Sequence, residues 1–367
     1  MLLFTPGPTP VPEIVRQSMA TSTLHHRTPE FELIFKEARE RLLKLFDMPE
    51  CVMLACSGTG AMQSCMLNLC KSKALTINSG KFGERFGKIA DAMGIEKIEL
   101  SYEWNTPAIV QDVKGILEKD SEIDALFIQV CESAGGLRHP VEEIAKVAKE
   151  INPDIMIVAD GITAVGVERI DTTDIDALIA GSQKALMLPP GLAMIGLSNS
   201  AVKKIDSGED YYFNLSSEIK KQQKNTTAYT APTTLIIGLN AIFDEIEKEG
   251  FDKLYDNTIL RADATQKALE SIGFNIYPKT PALSMSTVFD DDAEAIRKLL
   301  KSKYGVNIAG GQDHLKGKLF RINQMGLIPV YESAWVVNAI ELALNDLGRR
   351  DYDGSASRAF NETYYKD

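Results

Sequence analysis

The fold of this chain is indicated by the stretch Ile155-Met156-Ile157-Val158-Ala159-Asp160, an apolar run rich in β-branched residues that ends in a carboxylate. A second apolar run, Ala177-Leu178-Ile179-Ala180, leads into Gly181-Ser182-Gln183-Lys184, which ends 24 residues after Asp160. That spacing leaves room for a loop, a short strand and a return. Two parallel strands of this kind would place Asp160 and Lys184 at the same carboxyl edge of a sheet, where open α/β folds bind ligands.

An aspartate and a lysine at such an edge are the pair that pyridoxal phosphate (PLP) catalysis requires. The lysine forms a Schiff base with the cofactor aldehyde, and the aspartate keeps the pyridine nitrogen protonated so that the ring accepts electrons. Taken alone, the pair has a plainer interpretation, in which Asp160 is a turn residue at a strand end and Lys184 is a solvated surface lysine. The residues around the pair favour the PLP interpretation.

Four motifs resemble those of the class V family of fold-type I PLP enzymes. They are Asp160-Gly161-Ile162-Thr163-Ala164-Val165-Gly166, Gly181-Ser182-Gln183-Lys184-Ala185-Leu186, Pro189-Pro190-Gly191 and Thr5-Pro6-Gly7-Pro8. The likeness continues to Arg321, and within the family it is greatest to the alanine–glyoxylate and serine–pyruvate aminotransferase branch. The resemblance implies an α/β fold-type I PLP transferase, with a mostly parallel seven-stranded sheet in a large domain and a smaller C-terminal α+β domain.

The pattern along the chain alternates short apolar strands with helices, which favours a mostly parallel sheet covered by helices on both faces. Strands are predicted at residues 52–56, 75–78, 95–100, 125–130, 155–159 and 192–197, with helices at 60–70, 82–93, 141–150 and 233–249. A smaller α+β unit follows, with helices at 252–271, 293–303 and 331–347 and strands at 284–289 and 319–322. No element is predicted for the polar tail, residues 348–367.

These patterns and the resemblance divide the chain into two domains. Residues 15–249 form the predicted large PLP-binding domain, and residues 1–14 and 250–367 form the predicted small domain. The resemblance implies that the N-terminal dozen residues cross over to pack on the small domain and to line the active site.

The composition is that of a globular protein without nucleic acid or membranes as partners. The 367 residues are 44% apolar and 25% charged, and the net charge of −11 argues against nucleic acid and anionic membranes. The N-terminus lacks the basic start and long apolar stretch of a signal peptide, and no apolar run reaches membrane-spanning length. An odd number of cysteines, five, in such a chain is typical of a reduced, cytoplasmic protein. Neither the cysteines nor the four histidines have metal-ligand spacing, so no metal site is expected.

A cofactor phosphate is expected at Ser57-Gly58-Thr59-Gly60-Ala61, which joins a predicted strand to a predicted helix. Small residues let backbone N–H groups approach an anion, and a helix N-terminus adds partial positive charge. A tight turn without a ligand would have the same composition. The family resemblance assigns Thr59, Gly60 and Ala61 to the phosphate.

Two more phosphate contacts are implied by the resemblance. Gln183, beside the lysine, should reach the phosphate from within the same chain. Thr230, in Tyr229-Thr230-Ala231-Pro232, matches a residue that the second subunit of a homodimer donates to the site. The alternative role of Thr230 is an N-cap for the helix predicted to begin at 233, and the two roles are compatible.

Four residues are expected around the cofactor ring. Asp160 matches the family's partner of the pyridine nitrogen, Phe82 the aromatic ring stacked on one face, and Ile162 the residue packed on the other face. Ser133 matches a residue that hydrogen-bonds near the ring hydroxyl and the lysine. Most phenylalanines are core residues, but the glycines at 80 and 83 favour the stacking role for Phe82. A turn or N-cap role is the alternative for Ser133.

An amino-acid substrate brings an α-carboxylate, for which a bidentate arginine is the fitting partner. Arg321 lies within the apolar strand predicted at 319–322, where an unpaired charge is costly, and it matches the carboxylate-binding arginine of the family. The alternative is a structural salt bridge. Gly7 matches a glycine that lines the substrate pocket. Arg27 lies near the implied pocket mouth, either to bind an acidic side chain or at the dimer interface.

The leading hypothesis is an aminotransferase that moves an amino group from a small amino acid, such as alanine or serine, to glyoxylate or pyruvate. Lys184 would be the general base that moves the α-proton. A close alternative is a 2-aminoethylphosphonate–pyruvate aminotransferase. A cysteine desulfurase or lyase is disfavoured, because no cysteine follows Cys131 and because Phe82 stands where desulfurases carry histidine. A non-catalytic binding protein on the same fold would not need Asp160, Lys184 and Arg321 together.

Overall fold

A computed structural model describes residues 1–205 and 208–366, so residue 367, the last of the predicted small domain, lies outside the described part. The helices are α1 Glu13–Met19, α2 Pro29–Phe46, α3 Gly58–Leu69, α4 Lys81–Met93, α5 Val110–Leu117, α6 Val141–Ile151, α7 Asn199–Lys204, α8 Leu215–Gln222, α9 Thr233–Glu247, α10 Phe251–Ser271, α11 Ala293–Ser302, α12 Val330–Asp346 and α13 Ser355–Tyr364. The strands are β1 Leu2–Phe4, β2 Glu50–Leu54, β3 Lys73–Asn78, β4 Glu96–Ser101, β5 Ile123–Gln129, β6 Cys131–Glu132, β7 Leu137–Arg138, β8 Met156–Asp160, β9 Ala177–Gly181, β10 Ala193–Leu197, β11 Met285–Phe289, β12 Val306–Gly310 and β13 Leu319–Asn323. Each strand and helix predicted from the sequence is present, with ends that differ by at most two residues.

Seven of these strands form one sheet in the order β2-β10-β9-β8-β5-β3-β4. β10 runs antiparallel to both of its neighbours and the other pairings are parallel, which confirms the predicted mostly parallel seven-stranded sheet. Asp160 pairs with Ile179, so β8 and β9 end at the same edge. Lys184 follows the end of β9 by three residues, and the register of the sheet therefore brings it to the edge where Asp160 lies.

The alternation of side chains along β8 divides the buried core between the two faces of the sheet. Ile157 and Ala159 belong to one apolar cluster, to which α2 and α9 contribute, whereas Met156 and Val158 belong to another, to which α3 and α4 contribute. Every residue of β8 is buried because helices cover both faces, as is typical of parallel sheets.

A second sheet, in the order β1-β12-β13-β11, packs against α10, α11, α12 and α13. β1 comes from the N-terminus and pairs in parallel with β12, with Leu2 opposite Val306. The chain then returns to the large sheet, where the N–H of Thr9 donates to the carbonyl of Gln183 (3.1 Å) and the Thr9 hydroxyl to that of Lys184 (2.7 Å). The N-terminal segment thus contacts both the small sheet and the turn that carries the lysine.

Several elements lie outside the sequence-based prediction. α13 forms in the tail and buries Phe360 against α10 and α12, and α2, α5, α8 and β12 were also not predicted. The alternative N-cap role of Thr230 is wrong, because Pro232 occupies the N-cap position of α9 and no side chain caps that helix. Among the helices of the described residues, none combines the length and apolarity needed to cross a membrane.

Candidate active site

A cavity of about 220 Å³ opens at the edge where β8 and β9 end. Its lining residues are Ser57, Gly58, Thr59, Phe82, Arg85, Cys131, Ser133, Asp160, Ile162, Thr163, Gln183 and Lys184. The structure thus gathers seven of the predicted site residues, from five separate segments, around one space. The other predicted residues, which do not line it, are Gly7, Gly60, Ala61, Thr230 and Arg321.

Lys184 contacts the N-terminal segment through its amine. The Nζ donates a hydrogen bond to the carbonyl oxygen of Pro6, and a Cβ on Gly7 would lie 2.3 Å from the same nitrogen. Gly7 has a φ of +119°, a backbone conformation that favours glycine, and a side chain there would also displace Lys184. Burial, assisted by the positive charge of Arg321, lowers the pKa of Lys184 to about 8. About a tenth of the amine is therefore uncharged at pH 7, far more than for an ordinary lysine, and this fraction is able to act as a nucleophile or base.

Asp160 is a buried carboxylate, 5% exposed, whose Oδ1 accepts a 2.9 Å hydrogen bond from the N–H of Ile162. Burial raises the pKa of Asp160 to about 6, against the lowering influence of that hydrogen bond and of the charges on Arg85 and Lys184. A protonated ring nitrogen beside this carboxylate would supply the missing counter-charge and keep it ionised. The position and burial of Asp160 therefore suit its predicted role.

Phe82 is held by a buried carboxylate that the sequence analysis missed. Oε2 of Glu132, a fully buried residue, accepts hydrogen bonds of 2.9 Å from the N–H groups of both Phe82 and Gly83, and Oε1 accepts one from Ala134, also 2.9 Å. Two of these donors belong to the first turn of α4, whose partial positive charge stabilises an anion. Burial nevertheless raises the pKa of Glu132 to about 7. The feature of the sequence that could have indicated Glu132 is its position, as an acidic residue directly after an apolar strand pattern.

Arg85 is a second residue that the sequence analysis missed. It lies one turn after Phe82 on α4, and its guanidinium carbon lies 4.6 Å from the centre of the Phe82 ring. Its Nη1 donates a 3.0 Å hydrogen bond to the hydroxyl oxygen of Thr59. The feature of the sequence that could have indicated Arg85 is its spacing of three residues from Phe82, because residues i and i+3 lie on the same face of a helix.

The first turn of α3 forms the end of the cavity where a phosphate is expected. Ser57 precedes the helix without capping it through its side chain, and a Cβ on Gly58 would lie 2.3 Å from Cδ1 of Ile162, so a larger residue there would displace the Ile162 side chain. The buried Oε1 of Gln183 has no hydrogen-bond partner among the described residues. Since an amide can reverse its two ends, Gln183 is able to turn its NH₂ toward an anion. An uncapped helix N-terminus and an unpartnered amide together fit a phosphate group.

Gly60 and Ala61 lie in the same turn but outside the cavity lining. A Cβ on Gly60 would lie 2.7 Å from Sγ of Cys56, and Ala61 is fully buried. Their N–H groups donate to the Ser57 carbonyl oxygen at 2.8 and 3.3 Å. The phosphate contacts of these two residues therefore stay a prediction from the resemblance.

Arg321 is a buried arginine on β13, 7% exposed, that forms no ion pair among the described residues. Its Nη1 donates to the carbonyl of Ser133 (2.6 Å) and its Nη2 to that of Gly310 (2.7 Å), while Nε has no partner in the described part. The alternative of a structural salt bridge is therefore wrong. Burial lowers the pKa of Arg321 to about 10, and the charge of Glu132 opposes this shift. A buried guanidinium without a carboxylate partner is suited to bind one from a substrate.

Arg27 and Thr230 are not brought to this cavity by the single chain. Both residues are exposed. Thr230 lines a separate small cavity together with Tyr212 and Tyr229, whose rings stack with their centres 5.1 Å apart. A role for Thr230 in the site of another copy, and a role for Arg27 in binding, both stay predictions.

Comparisons with known proteins establish the family of the chain. A sequence model described as aminotransferase class-V matches residues 3–326. An uncharacterised aminotransferase of Helicobacter pylori strain 26695 is 50% identical over 100% of both chains, and the serine–glyoxylate aminotransferase of Hyphomicrobium methylovorum is 29% identical over 99% of this chain and 94% of its own. The solved structure of a subgroup IV aspartate aminotransferase from Thermus thermophilus matches with a TM-score of 0.88 at 28% identity, covering 94% of this chain and 99% of that one. The chain therefore belongs to the class V aminotransferase family.

As a member of this family, the protein is a PLP-dependent aminotransferase of fold type I. The cavity fits the cofactor, since it offers a buried carboxylate for the ring nitrogen, an amine of lowered pKa for the aldehyde and an uncapped helix N-terminus for the phosphate. When bound, PLP supplies an electron sink for bonds at the α-carbon of the substrate and a carrier for its amino group.

Proposed function

We propose that this enzyme transfers the amino group of a small amino acid, alanine or serine, to a small 2-oxo acid, glyoxylate or pyruvate. The observation that carries the proposal is Arg321, a buried guanidinium without a carboxylate partner among the described residues, which suits the α-carboxylate of an amino acid. The cavity that holds Lys184 would be filled largely by PLP itself, so the choice of a small substrate rests on the similarity to a serine–glyoxylate aminotransferase.

Within this proposal Lys184 has two roles, which its lowered pKa supports. It carries the cofactor between reactions, and as a free amine it takes up and returns the proton at the α-carbon of the substrate. Arg321 binds the α-carboxylate with its guanidinium fork, and Gly7, which lies next to Lys184 but outside the lining of the cavity, borders the substrate. Fixing the carboxylate orients the α-hydrogen toward the lysine amine.

The remaining predicted residues would hold the cofactor. The ring would be held by Asp160, Phe82, Ile162 and Ser133, and the phosphate by Thr59, Gly60, Ala61, Gln183 and Thr230 of the partner subunit. Support for this assignment is the convergence of six of these residues on one cavity within the single chain.

A donor screen tests the substrate assignment. The PLP-loaded enzyme is mixed with alanine, serine, aspartate or 2-aminoethylphosphonate, and the conversion of PLP to pyridoxamine phosphate is followed by absorbance. Alanine or serine should convert the cofactor fastest, and glyoxylate or pyruvate should then restore the PLP absorbance. Fastest conversion by 2-aminoethylphosphonate would replace the proposal with the phosphonate alternative, and fastest conversion by aspartate would replace it with an acidic donor.

Desulfurase or lyase chemistry has less support in this chain. A desulfurase needs a mobile cysteine nucleophile, and Cys131 is the last cysteine in the sequence. Cys131 is buried, and burial raises the pKa of its thiol to about 11, so the thiol is protonated near neutral pH.

We propose further that the enzyme is a cytoplasmic homodimer with shared active sites. The support is the exposure of Thr230 next to a patch of tyrosines, in which Tyr211 is 81% and Tyr212 is 42% exposed. Clustered exposed aromatic side chains are typical of interaction surfaces. All five cysteines are unpaired, which supports a reducing compartment. Sedimentation at assay concentration should show a dimer, and a fully active monomer would contradict the proposal; cell fractionation tests the location.

A further inference from the structure

Arg85 is a cation that lines the cavity, and the proposed function gives it no anionic group to bind. Among the residues that line the cavity, Arg85 and Lys184 are the cationic ones, and Lys184 is committed to the cofactor aldehyde. Arg85 forms no ion pair within the described part of the chain, whereas Lys88, one turn further along α4, pairs with Glu84 at 2.8 Å. Asp160 lies close enough for the charge of Arg85 to lower its pKa, but the two side chains form no ion pair. A partly buried guanidinium without a direct ion pair is able to bind an anionic ligand.

The side-chain hydrogen bond of Arg85 directs it to the first turn of α3. Nη1 of Arg85 donates to Oγ1 of Thr59 at 3.0 Å, and the hydroxyl hydrogen of Thr59 is then free to donate to another acceptor. The N-terminus of α3 also carries partial positive charge. Two positive groups thus meet at one end of the cavity, an arrangement that an anion bound beside them would stabilise.

The ring of Phe82 holds the other side of the same guanidinium. The distance of 4.6 Å from the guanidinium carbon to the ring centre is that of a cation–π contact. Arg85 is therefore held between Phe82 and Thr59 by contacts within the chain. A side chain fixed by such contacts loses less conformational entropy when it binds a ligand.

We propose that Arg85 binds the phosphate group of the cofactor beside Thr59 and supplies the positive charge that this dianion requires. The inference rests on the proposed function for the position of the phosphate at α3. It adds a cation to a phosphate site whose other proposed residues, Thr59, Gly60, Ala61, Gln183 and Thr230 of the partner subunit, are uncharged.

Titration of the apoenzyme with PLP and with pyridoxal tests the proposal, because the two molecules differ only in the phosphate group. In Arg85→Met the dissociation constant of PLP should rise by at least about tenfold, as expected for loss of a charge-assisted hydrogen bond, and that of pyridoxal by less than about twofold. Arg85→Lys, which keeps the charge, should lie between Arg85→Met and the unmodified enzyme. Lys88→Met removes an exposed charge from the same helix and should leave both constants unchanged.

Equal loss of PLP and pyridoxal affinity in Arg85→Met would overturn the proposal and assign Arg85 to the support of Phe82. Unchanged PLP affinity would overturn it as well. Thermal melting of each variant checks folding, and Arg85→Gln replaces Arg85→Met if the latter does not fold. Inorganic phosphate gives an independent measurement, since it should compete with PLP about tenfold less effectively in Arg85→Met than in the unmodified apoenzyme. Failure of the unmodified apoenzyme to bind PLP would instead overturn the proposed function itself.

Discussion

Two walls of the cavity differ in how their side chains reach it. The lysine wall consists of residues at or just after the ends of β8 and β9, namely Asp160, Ile162, Gln183 and Lys184. The ring wall consists of residues from the first turn of α3, the first two turns of α4 and the position after β6, namely Thr59, Phe82, Arg85 and Ser133, with Glu132 buried behind it. Each side chain of the lysine wall is placed by the strand before it, whereas the ring wall is joined by hydrogen bonds across the sequence. The bond from Phe82 to Glu132 spans 50 residues, and the bond from Arg85 to Thr59 spans 26.

The largest effect is expected from removing the reactive group of the lysine wall. Lys184→Ala deletes both the attachment point of the cofactor and the base, and it should lower kcat/KM by roughly 10⁴-fold or more, the upper range for general acid–base catalysis. Borohydride reduction of the PLP-loaded native enzyme, followed by peptide mapping, should place the label on Lys184. A label on Lys203 or Lys204 would show that the assignment is wrong.

Arg321 joins the small sheet to the ring wall through the carbonyl of Ser133, and its removal should give the next largest effect. Arg321→Ala should lower kcat/KM for amino acids by about a hundredfold or more, because a bidentate bond to a charged group contributes roughly 3 kcal/mol. The PLP absorbance without substrate should be almost unchanged. Loss of PLP, with normal kcat/KM once cofactor is resupplied, would mean that Arg321 is structural and that Arg27 is the next candidate.

Arg261 on α10 provides a matched control for Arg321. It is also buried, burial also lowers its pKa to about 10, and it also donates to backbone carbonyls, here those of Gln324 (2.8 Å) and Gly326 (2.9 Å). Neither arginine lines the cavity, but Arg321 donates to Ser133, which does, whereas Arg261 donates to Thr258, Gln324 and Gly326, which do not. Arg261→Met should lower the melting temperature while the KM of the donor stays within about twofold. Equal losses of kcat/KM in both variants would mean that the effect of Arg321→Ala comes from lost packing and not from lost substrate contact.

A smaller effect is expected when the carboxylate behind the ring wall is neutralised. Glu132→Gln keeps the size of the side chain but presents an NH₂ group to at least one of the three backbone N–H donors that now meet carboxylate oxygens. This unfavourable contact should displace Phe82. An unsatisfied buried donor costs roughly 1–3 kcal/mol, so the PLP dissociation constant should rise about tenfold. Titration with PLP measures the constant, and Glu142→Gln, which removes one of the two carboxylate partners of Arg138 outside the cavity, is the control. Equal PLP affinity in Glu132→Gln and Glu142→Gln would contradict the role of the buried carboxylate.

The sequence predicted the lysine wall because its groups stand where apolar strands end. Asp160 is the last residue of β8 and Lys184 follows β9. The apolar pattern that predicts these two strands therefore also predicts that the two side chains lie at the same edge of the sheet. The mostly parallel sheet followed from the same pattern, and its seven strands were implied by the family resemblance. The arrangement of the ring wall depends instead on which strands are neighbours. α4 follows β3 and β6 follows β5, and only the pairing of β3 with β5 brings Glu132 to the N-terminus of α4.

The predicted small domain shows the same limit of local patterns. β13 was predicted from its apolar residues, and Arg321 was noticed because a charge in such a strand is costly. The short helix α13 was not predicted, since Ala356 and Phe360 are its buried side chains in an otherwise polar segment. Such a helix depends on packing against α10 and α12 more than on its own sequence.

The smallest predicted effect concerns the pH dependence of cofactor attachment, and it measures how far Arg321 influences the lysine wall. Burial and the charge of Arg321 lower the pKa of Lys184 from 10.5 to about 8, which means that the site disfavours the ammonium form. PLP attaches to the uncharged amine, so the rate of attachment to the apoenzyme should rise about fivefold from pH 7 to pH 8 and level off roughly one pH unit higher.

Removing the positive charge of Arg321 makes the ammonium form of Lys184 more favourable, so Arg321→Ala should move the midpoint of this pH profile upward. Arg261→Met should leave it in place, because Arg261 is not among the groups that shift the pKa of Lys184. Stopped-flow absorbance of PLP with apoenzyme gives both profiles. A rate that keeps rising about tenfold per pH unit up to pH 10 would mean that the amine has an ordinary lysine pKa. An unmoved midpoint in Arg321→Ala would mean that burial alone lowers it, and that the two parts of the site act on the lysine independently.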